Sequence, residues 1–147
     1  MYESMAPAVQ SSTGIQKLNC IVTIHDPCPT RFDTAQQKAV RQFVEACGYR
    51  IEELPSNGAT TRCCGQGGMV EGCVPGTIKQ ESRIIATEAA GRPVVSSCAA
   101  CSDTIAAATP AGHVVDLLIG NTVFSTKPVS SARRWLNRLK LRFVRLL

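Results

Sequence analysis

Residues 62–68 read R-C-C-G-Q-G-G, and the rest of the chain is organised around this stretch. Cys63 and Cys64 cannot share one face of a regular strand or helix, because successive side chains diverge. Gly65, Gly67 and Gly68 follow, and glycine adopts positive φ angles at little steric cost. Glycines also let backbone N–H groups approach an anion closely. The stretch therefore predicts a turn around a bulky, negatively charged group that is bound by thiolates.

Cysteines upstream and downstream frame this turn. Thirty-four residues separate Cys28 from Cys63, 33 separate Cys64 from Cys98, and Cys101 completes a C-A-A-C motif. Each interval is about the length of one strand and one helix. We therefore expect an α/β domain to gather the five thiols at one edge of a parallel sheet.

The composition favours an intracellular protein that uses its thiols chemically. With 147 residues and 44% hydrophobic content, the chain is most simply one globular domain. Residues 1–14 contain Glu3 and no apolar run, which is not the pattern of a signal peptide. No stretch of ~18 apolar residues is present, so we expect no membrane span. Eight cysteines in a cytoplasmic chain indicate metal binding or redox chemistry rather than structural disulfides.

The net charge of +5 is a property of the C-terminal end. Residues 127–145 hold seven basic and no acidic residues, which leaves nine basic and 11 acidic residues in the remainder. The remainder thus carries about −2, and the overall charge does not indicate nucleic-acid binding by the domain.

Hydrophobic periodicity and breaker residues predict an α/β fold with a mostly parallel sheet flanked by helices. Thr30 or Asp33 is expected to cap the first helix, and Ser102 or Asp103 to begin the third. The predicted elements are a strand at 17–25, a helix at 34–47, a strand at 49–54, an interrupted helix at 71–90, a strand at 94–97, a helix at 104–108, and a strand or helix start at 113–119. Sites in such sheets form beyond the carboxyl ends of the strands, where this interpretation puts Cys28 and Cys98.

Four segments follow from this pattern: a flexible N-terminal segment (1–16), a cysteine-rich domain (17–120), a linker (121–128) and an amphipathic basic helix (129–147). Three roles fit the last helix: docking on a partner subunit, lying on the anionic surface of the inner face of a membrane, or packing on its own domain. Its predicted apolar face comprises Ala132, Trp135, Leu136, Leu139, Phe143, Leu146 and Leu147.

Three motifs resemble the cysteine-rich CCG domain family. They are H-D-P-C at 25–28, C-C-G-x-G-G at 63–68 and S-C-x-x-C at 97–101. The family occurs in the cysteine-rich subunit of heterodisulfide reductase and in the iron–sulfur subunits of glycolate oxidase, lactate utilisation and anaerobic glycerol-3-phosphate dehydrogenase. The resemblance covers roughly residues 21–120.

The resemblance implies an iron–sulfur centre, which is a non-cubane [4Fe-4S] cluster in the best-understood members. Its implied ligands are Cys28, Cys63, Cys64, Cys98 and Cys101, with Gly65, Gly67 and Gly68 forming the turn beside it. Thiolates are the preferred soft ligands of such clusters, and five exceed the four that close a structural zinc site. The family's role is electron transfer, including the reductive cleavage of a disulfide.

The chain departs from the family's usual layout. Members usually carry two CCG repeats, and many carry a ferredoxin-type module, whereas this sequence has one repeat and no such module. We therefore expect the chain to be part of an oxidoreductase complex rather than a protein active alone. Ferredoxin-type or flavoprotein subunits would supply its electrons. It could equally be a fragment of a longer protein. No separate catalytic residue is predicted.

Two alternatives stay open. Some domains of the family resemble zinc-binding proteins that use a subset of these thiols. One alternative is therefore a zinc-stabilised structural or docking module without redox chemistry. A thiol–disulfide enzyme that uses Cys98 and Cys101 as a redox pair is the other, but it leaves Cys63 and Cys64 without a purpose.

Other polar residues near the motifs have structural interpretations. Cys20, Cys47 and Cys73 are predicted to be buried packing residues, and Cys73 is also close enough in sequence to approach the site. His25 is expected to position the turn or to donate a hydrogen bond to the cluster or a substrate. Asp26 is expected to cap local backbone N–H groups, as Asp before Pro commonly does.

Overall fold

A computed structural model describes residues 20–118, residue 124 and residues 130–143 of the chain. The predicted α/β fold is confirmed: four strands form one sheet in the order β2-β1-β3-β4, and all three pairings are parallel. The strands are β1 (Ile21–His25), β2 (Arg50–Ile51), β3 (Val94–Ser96) and β4 (Ala111–His113). The helices are α1 (Thr34–Ala46), α2 (Val70–Cys73), α3 (Thr77–Ala89), α4 (Ala99–Ile105), α5 (Val114–Leu118) and α6 (Ser131–Phe143).

Alternation along the strands gives the sheet two apolar faces, each covered by helices. One face carries Val22 and Ile24 of β1 and packs against α1 and α5. The other carries Val94 of β3 and packs against α3 and α4. Cys64 and Cys101 are part of this second core, 4% and 3% exposed, so two of the predicted ligands lie inside the domain.

Several predicted boundaries hold. The α1 helix begins after Asp33, whose carboxylate accepts a hydrogen bond from the Gln36 N–H, as one of the two expected caps. The predicted helix at 71–90 divides into α2 and α3, and Gly76 between them has a φ of +92°. Short 3₁₀ turns at Cys28–Thr30, Gly58–Thr60 and Gly67–Met69 connect the longer elements.

Other boundaries were wrong. The strand predicted at 49–54 contains only Arg50–Ile51, since the chain leaves the sheet after pairing with β1. The helix predicted at 104–108 runs over Ala99–Ile105 instead. Its N-cap is extended Cys98, which makes no side-chain cap bond, so no capping residue in the sequence marks this start. The segment at 113–119 splits, with β4 ending at His113 and α5 following.

Predictions on the two ends fall partly outside the described residues. Residues 1–19, 119–123, 125–129 and 144–147 are not described, so the flexible segment, the linker and the last residues of the basic helix stay predictions. The described part of that helix is α6. Within residues 20–118 and 130–143, no helix has the length and apolarity to cross a membrane.

Candidate metal centre

The C-C-G turn leaves regular structure as the sequence predicts. Cys63 and Cys64 lie in irregular backbone, and Gly65 and Gly68 have φ angles of +81° and +64°. Gly67 does not have a positive φ, so its predicted role in bending the turn was wrong. The left-handed position after Gly68 is taken by Met69 (φ +56°), which no sequence signal marks.

Gly65 is the glycine that the turn needs most. A Cβ atom there would lie 3.2 Å from the Ile78 N and 3.2 Å from the Thr77 Cγ2, in addition to the unfavourable φ. Its N–H donates to the Cys63 Sγ at 3.4 Å, which fixes the thiol at the start of the turn. The turn is thereby held against the first residues of α3.

We predict that Gly65→Ala lowers the free energy of unfolding by about 1–3 kcal/mol, because the left-handed backbone and the contact with α3 both oppose a methyl group. Gly67→Ala is the matched control two residues away, since its φ is not positive and nothing lies within 4 Å of its Cβ position. It should change stability by less than about 0.5 kcal/mol. Denaturant unfolding of both variants measures the difference, and equal effects would contradict the assigned turn.

The predicted ligands converge in pairs from three parts of the chain. The Cys101 Sγ donates to the Cys64 Sγ at 3.3 Å, which joins α4 to the C-C-G turn. The Cys28 thiol lies near enough to Cys63 and Cys64 to interact with both electrostatically. The fifth thiol, Cys98, lies near enough to Cys101 to interact with it electrostatically. The three motifs therefore meet at the carboxyl ends of β1 and β3.

These contacts shift the pKa values of the thiols in different directions. The hydrogen bond from Cys101 lowers the pKa of Cys64 to about 6, although burial opposes the shift. The same bond, together with burial, raises the pKa of Cys101. Burial first, and then Cys63, raise the pKa of Cys28, while the nearby Arg31 opposes this. The lowered pKa favours the thiolate form of Cys64, which is the form in which cysteine binds metal.

The described thiols are not arranged around a single point as the ligands of one metal ion would be. Within the described residues, no group of three or more His, Cys, Asp or Glu side chains is arranged to hold a metal ion. The contacts are pairwise, and the set of five ligands stays a prediction. The donor chemistry nevertheless fits a soft, multi-atom group, because five thiols share one edge of the sheet.

His25 supplies an independent observation on the polar groups of this site. Its side chain is 1% exposed, and neither ring nitrogen has a hydrogen-bond partner in the described part of the chain. Alternation along β1 puts it on the face that holds Cys64 and Cys101, and its strand partner is Ser96. Burial lowers its pKa to about 4, so the ring is neutral at physiological pH.

A neutral imidazole has one donor and one acceptor, and leaving both unsatisfied in the interior is costly. Unpartnered buried polar atoms call for a partner that the chain itself does not provide. His25 and the five thiols thus have side chains that suit one and the same bound group. Of the two roles expected for His25, donation to a bound group agrees best with the unpartnered ring.

Asp26 anchors the H-D-P-C turn through contacts that the sequence did not indicate. It accepts hydrogen bonds from the Arg41 Nη1 (3.0 Å) and Nη2 (2.9 Å), and its Oδ2 also accepts the Gly58 N–H at 2.9 Å. Its backbone carbonyl accepts the Thr61 hydroxyl at 2.6 Å. Asp26 therefore ties Cys28 to α1 and to the loop before Cys63. The expected local capping was wrong, because these partners lie 15 to 35 residues away.

The arginines beside the cysteines are both engaged. The Arg31 Nη2 donates to the Thr61 carbonyl at 2.8 Å, and Arg62 forms an ion pair with Glu81 at 3.0 Å. Arg62 also lines an open cleft of about 380 Å³ together with Cys63, Gly65, Thr61, Val70 and Glu81. Its charge is compensated there, so the cleft mouth is nearly neutral.

The remaining cysteines lie in different surroundings. Cys47 is buried in the first core, as predicted. The prediction that Cys20 is a core residue was wrong, since its side chain is exposed. Cys20 precedes β1, and its carbonyl accepts a hydrogen bond from the Arg50 N–H at 3.1 Å. Cys73 ends α2 and is exposed, so its predicted burial was also wrong.

Comparison with known proteins gives one match. The family model of the CCG cysteine-rich domain matches residues 22–106, in a single copy. This range contains all three cysteine motifs and extends from β1 to the end of α4. No curated protein and no solved structure matches the chain.

Proposed function

The chain belongs to the CCG cysteine-rich domain family, which is typical of iron–sulfur redox proteins, and we propose that it transfers electrons through an iron–sulfur centre. The proposed ligands are Cys28, Cys63, Cys64, Cys98 and Cys101. The observation that carries the proposal is the meeting of the cysteine motifs, with Cys64 and Cys101 in contact, on the sheet face that also carries the buried, unpartnered His25. When bound, such a cluster supplies one-electron redox chemistry.

The chain's own residues divide the site into a dry side and an open side. Cys64 and Cys101 are buried among Leu54, Ile85 and Val94, which excludes water from that side. Cys28, Cys63 and Cys98 are partly exposed. A partner or substrate would therefore approach from the side of the latter three thiols.

His25 and the glycine turn would adjust the electronic properties of the group. A neutral His25 can donate one hydrogen bond to a sulfur atom, and backbone N–H groups of the turn can do the same. Hydrogen bonds to cluster sulfurs raise the reduction potential. These donors would make the centre easier to reduce than an equivalent one in an apolar pocket.

The cleft beside Cys63 suits a disulfide as the electron acceptor. Its volume of about 380 Å³ is within the range of small-molecule sites, and its wall includes a thiol of the proposed ligand set. Reduction of one disulfide takes two electrons and two protons and yields two thiols. The electrons would come from a ferredoxin-type or flavoprotein subunit, because one CCG repeat offers no second centre. A quinone-linked partner is the other acceptor that this arrangement would serve.

The test is electron transfer to a small disulfide by the whole chain. Anaerobically purified protein is reduced with dithionite, freed of the reductant and mixed with oxidised glutathione, while its visible absorbance and the released thiols are followed. Because each reduced centre supplies one electron, we expect one disulfide to be consumed, and two thiols to be formed, for every two chains whose centre is reoxidised. Reoxidation by a quinone analogue but not by the disulfide would overturn the choice of acceptor. Protein that contains zinc and shows no reducible absorbance would overturn the redox function and leave a structural zinc module.

A further inference from the structure

The α6 helix leaves an apolar surface uncovered. Three large apolar side chains in it are exposed: Trp135 (62%), Leu136 (49%) and Leu139 (38%). Every side chain that the structure describes from Ala132 to Lys140 is exposed. The exposed side chains give no support to the expectation that this helix packs its apolar face on its own domain. A contiguous exposed apolar surface marks an interaction site.

Charge surrounds this apolar surface on both sides. At 3.6 residues per turn, Ala132, Trp135, Leu136 and Leu139 fall within an arc of about 100°. Arg133 and Lys140 border one side of the arc, and Arg138 borders the other. Residues 127–147 contain no acidic residue. The arc is therefore flanked by cations alone.

We propose that α6 lies on the surface of an anionic phospholipid membrane, with the apolar arc inserted between the headgroups and the flanking cations on the phosphates. Cations on both borders match a plane of negative charge that continues on either side of the helix. Long basic side chains can keep their stems on the apolar surface while their charges reach the headgroups. Trp135 at the edge of the arc is the residue type that prefers the membrane interface.

An acidic groove on a protein is the other class of surface that such a helix fits. The membrane is favoured because the helix has no acidic residue to set the register and orientation that a groove demands. Each cation near anionic lipid contributes about fivefold in affinity. The contact is peripheral, since no helix among the described residues can cross a membrane.

Trp135 makes the test direct, because it is the only tryptophan in the chain. The full chain is titrated with vesicles of phosphatidylcholine alone and with vesicles of equal parts phosphatidylglycerol and phosphatidylcholine. We expect a blue shift of the tryptophan emission and co-sedimentation with the anionic vesicles only, both weakened by salt. R138Q with K140Q should weaken binding about 25-fold.

The controls separate the surface from the fold. Asn137→Ser on the polar side of α6 should bind as the unaltered chain does, and Leu136→Ser with Leu139→Ser should not bind. Far-ultraviolet circular dichroism and the visible absorbance of the centre should be the same in all variants, which keeps this result separate from the redox proposal. Absence of a shift with anionic vesicles, an unchanged affinity in R138Q/K140Q, or capture only by an acidic protein would overturn the membrane assignment.

Discussion

Cys64→Ala is expected to abolish the iron–sulfur centre, reducing iron and sulfide from about four each per chain to near zero. Cys64 is the thiol whose pKa is lowered to about 6, by the hydrogen bond from Cys101. It is also 4% exposed, and its contact with Cys101 joins the C-C-G turn to α4. Its removal takes away the buried thiolate on which the proposed centre rests. Iron and acid-labile sulfide analysis measures the loss.

Cys47→Ala is the matched control for this change. Cys47 is 3% exposed, and it packs in the other core with Phe43 and Val44. Both substitutions thus remove a buried thiol and leave a similar void, at a cost of about 1–2 kcal/mol. Cys47→Ala should keep its iron and sulfide. A Cys64→Ala protein with full iron and sulfide content would show that the buried thiol pair is not part of the centre.

Asp26→Ala is expected to lower the free energy of unfolding by about 3–5 kcal/mol, because it leaves the Arg41 guanidinium without its buried partner. The Asp26 side chain is 3% exposed and takes part in three hydrogen bonds that join β1, α1 and the loop before Cys63. Denaturant unfolding at neutral pH measures the loss. The centre should also become less stable, since the turn that holds Cys28 loses its anchor.

Glu53→Ala removes the other carboxylate that pairs with Arg41. The Glu53 side chain is 40% exposed, so its loss should cost only about 0–1 kcal/mol.

The contribution of Asp26 to stability also depends on pH. Burial raises the pKa of Asp26, but bonds from Arg41 and Gly58 outweigh it, and the folded pKa is lowered. The contribution is present above the ordinary pKa of about 4 and is lost as the pH falls through the folded value.

The stability difference between the unaltered chain and Asp26→Asn should therefore shrink below about pH 4. A difference that stays constant down to about pH 2, or equal losses in Asp26→Ala and Glu53→Ala, would contradict the role given to the Asp26–Arg41 pair.

The sequence was sufficient to predict the order of elements and the meeting of the cysteine motifs. Parallel strands bring their carboxyl ends to one edge, so even spacing of the thiols along strand–helix units was enough to put Cys28 beside Cys63. Asp33, one of the two expected caps of α1, is a local signal, and the structure confirms it.

Features that depend on distant partners could not be predicted. Arg41 reaches Asp26 only because α1 packs beside the end of β1, and no local pattern marks that pair. The early start of α4 could not be predicted because its N-cap, Cys98, is not a capping residue type and makes no side-chain cap bond. The unpartnered state of His25 is visible only once every neighbouring polar group is known.

The central claim is that the five converging thiols hold an iron–sulfur cluster. The most direct test is iron, zinc and acid-labile sulfide analysis of anaerobically purified full chain, together with an EPR spectrum of the reduced protein. The account predicts about four irons and four sulfides per chain and a paramagnetic signal on reduction. About one zinc per chain without sulfide would contradict it.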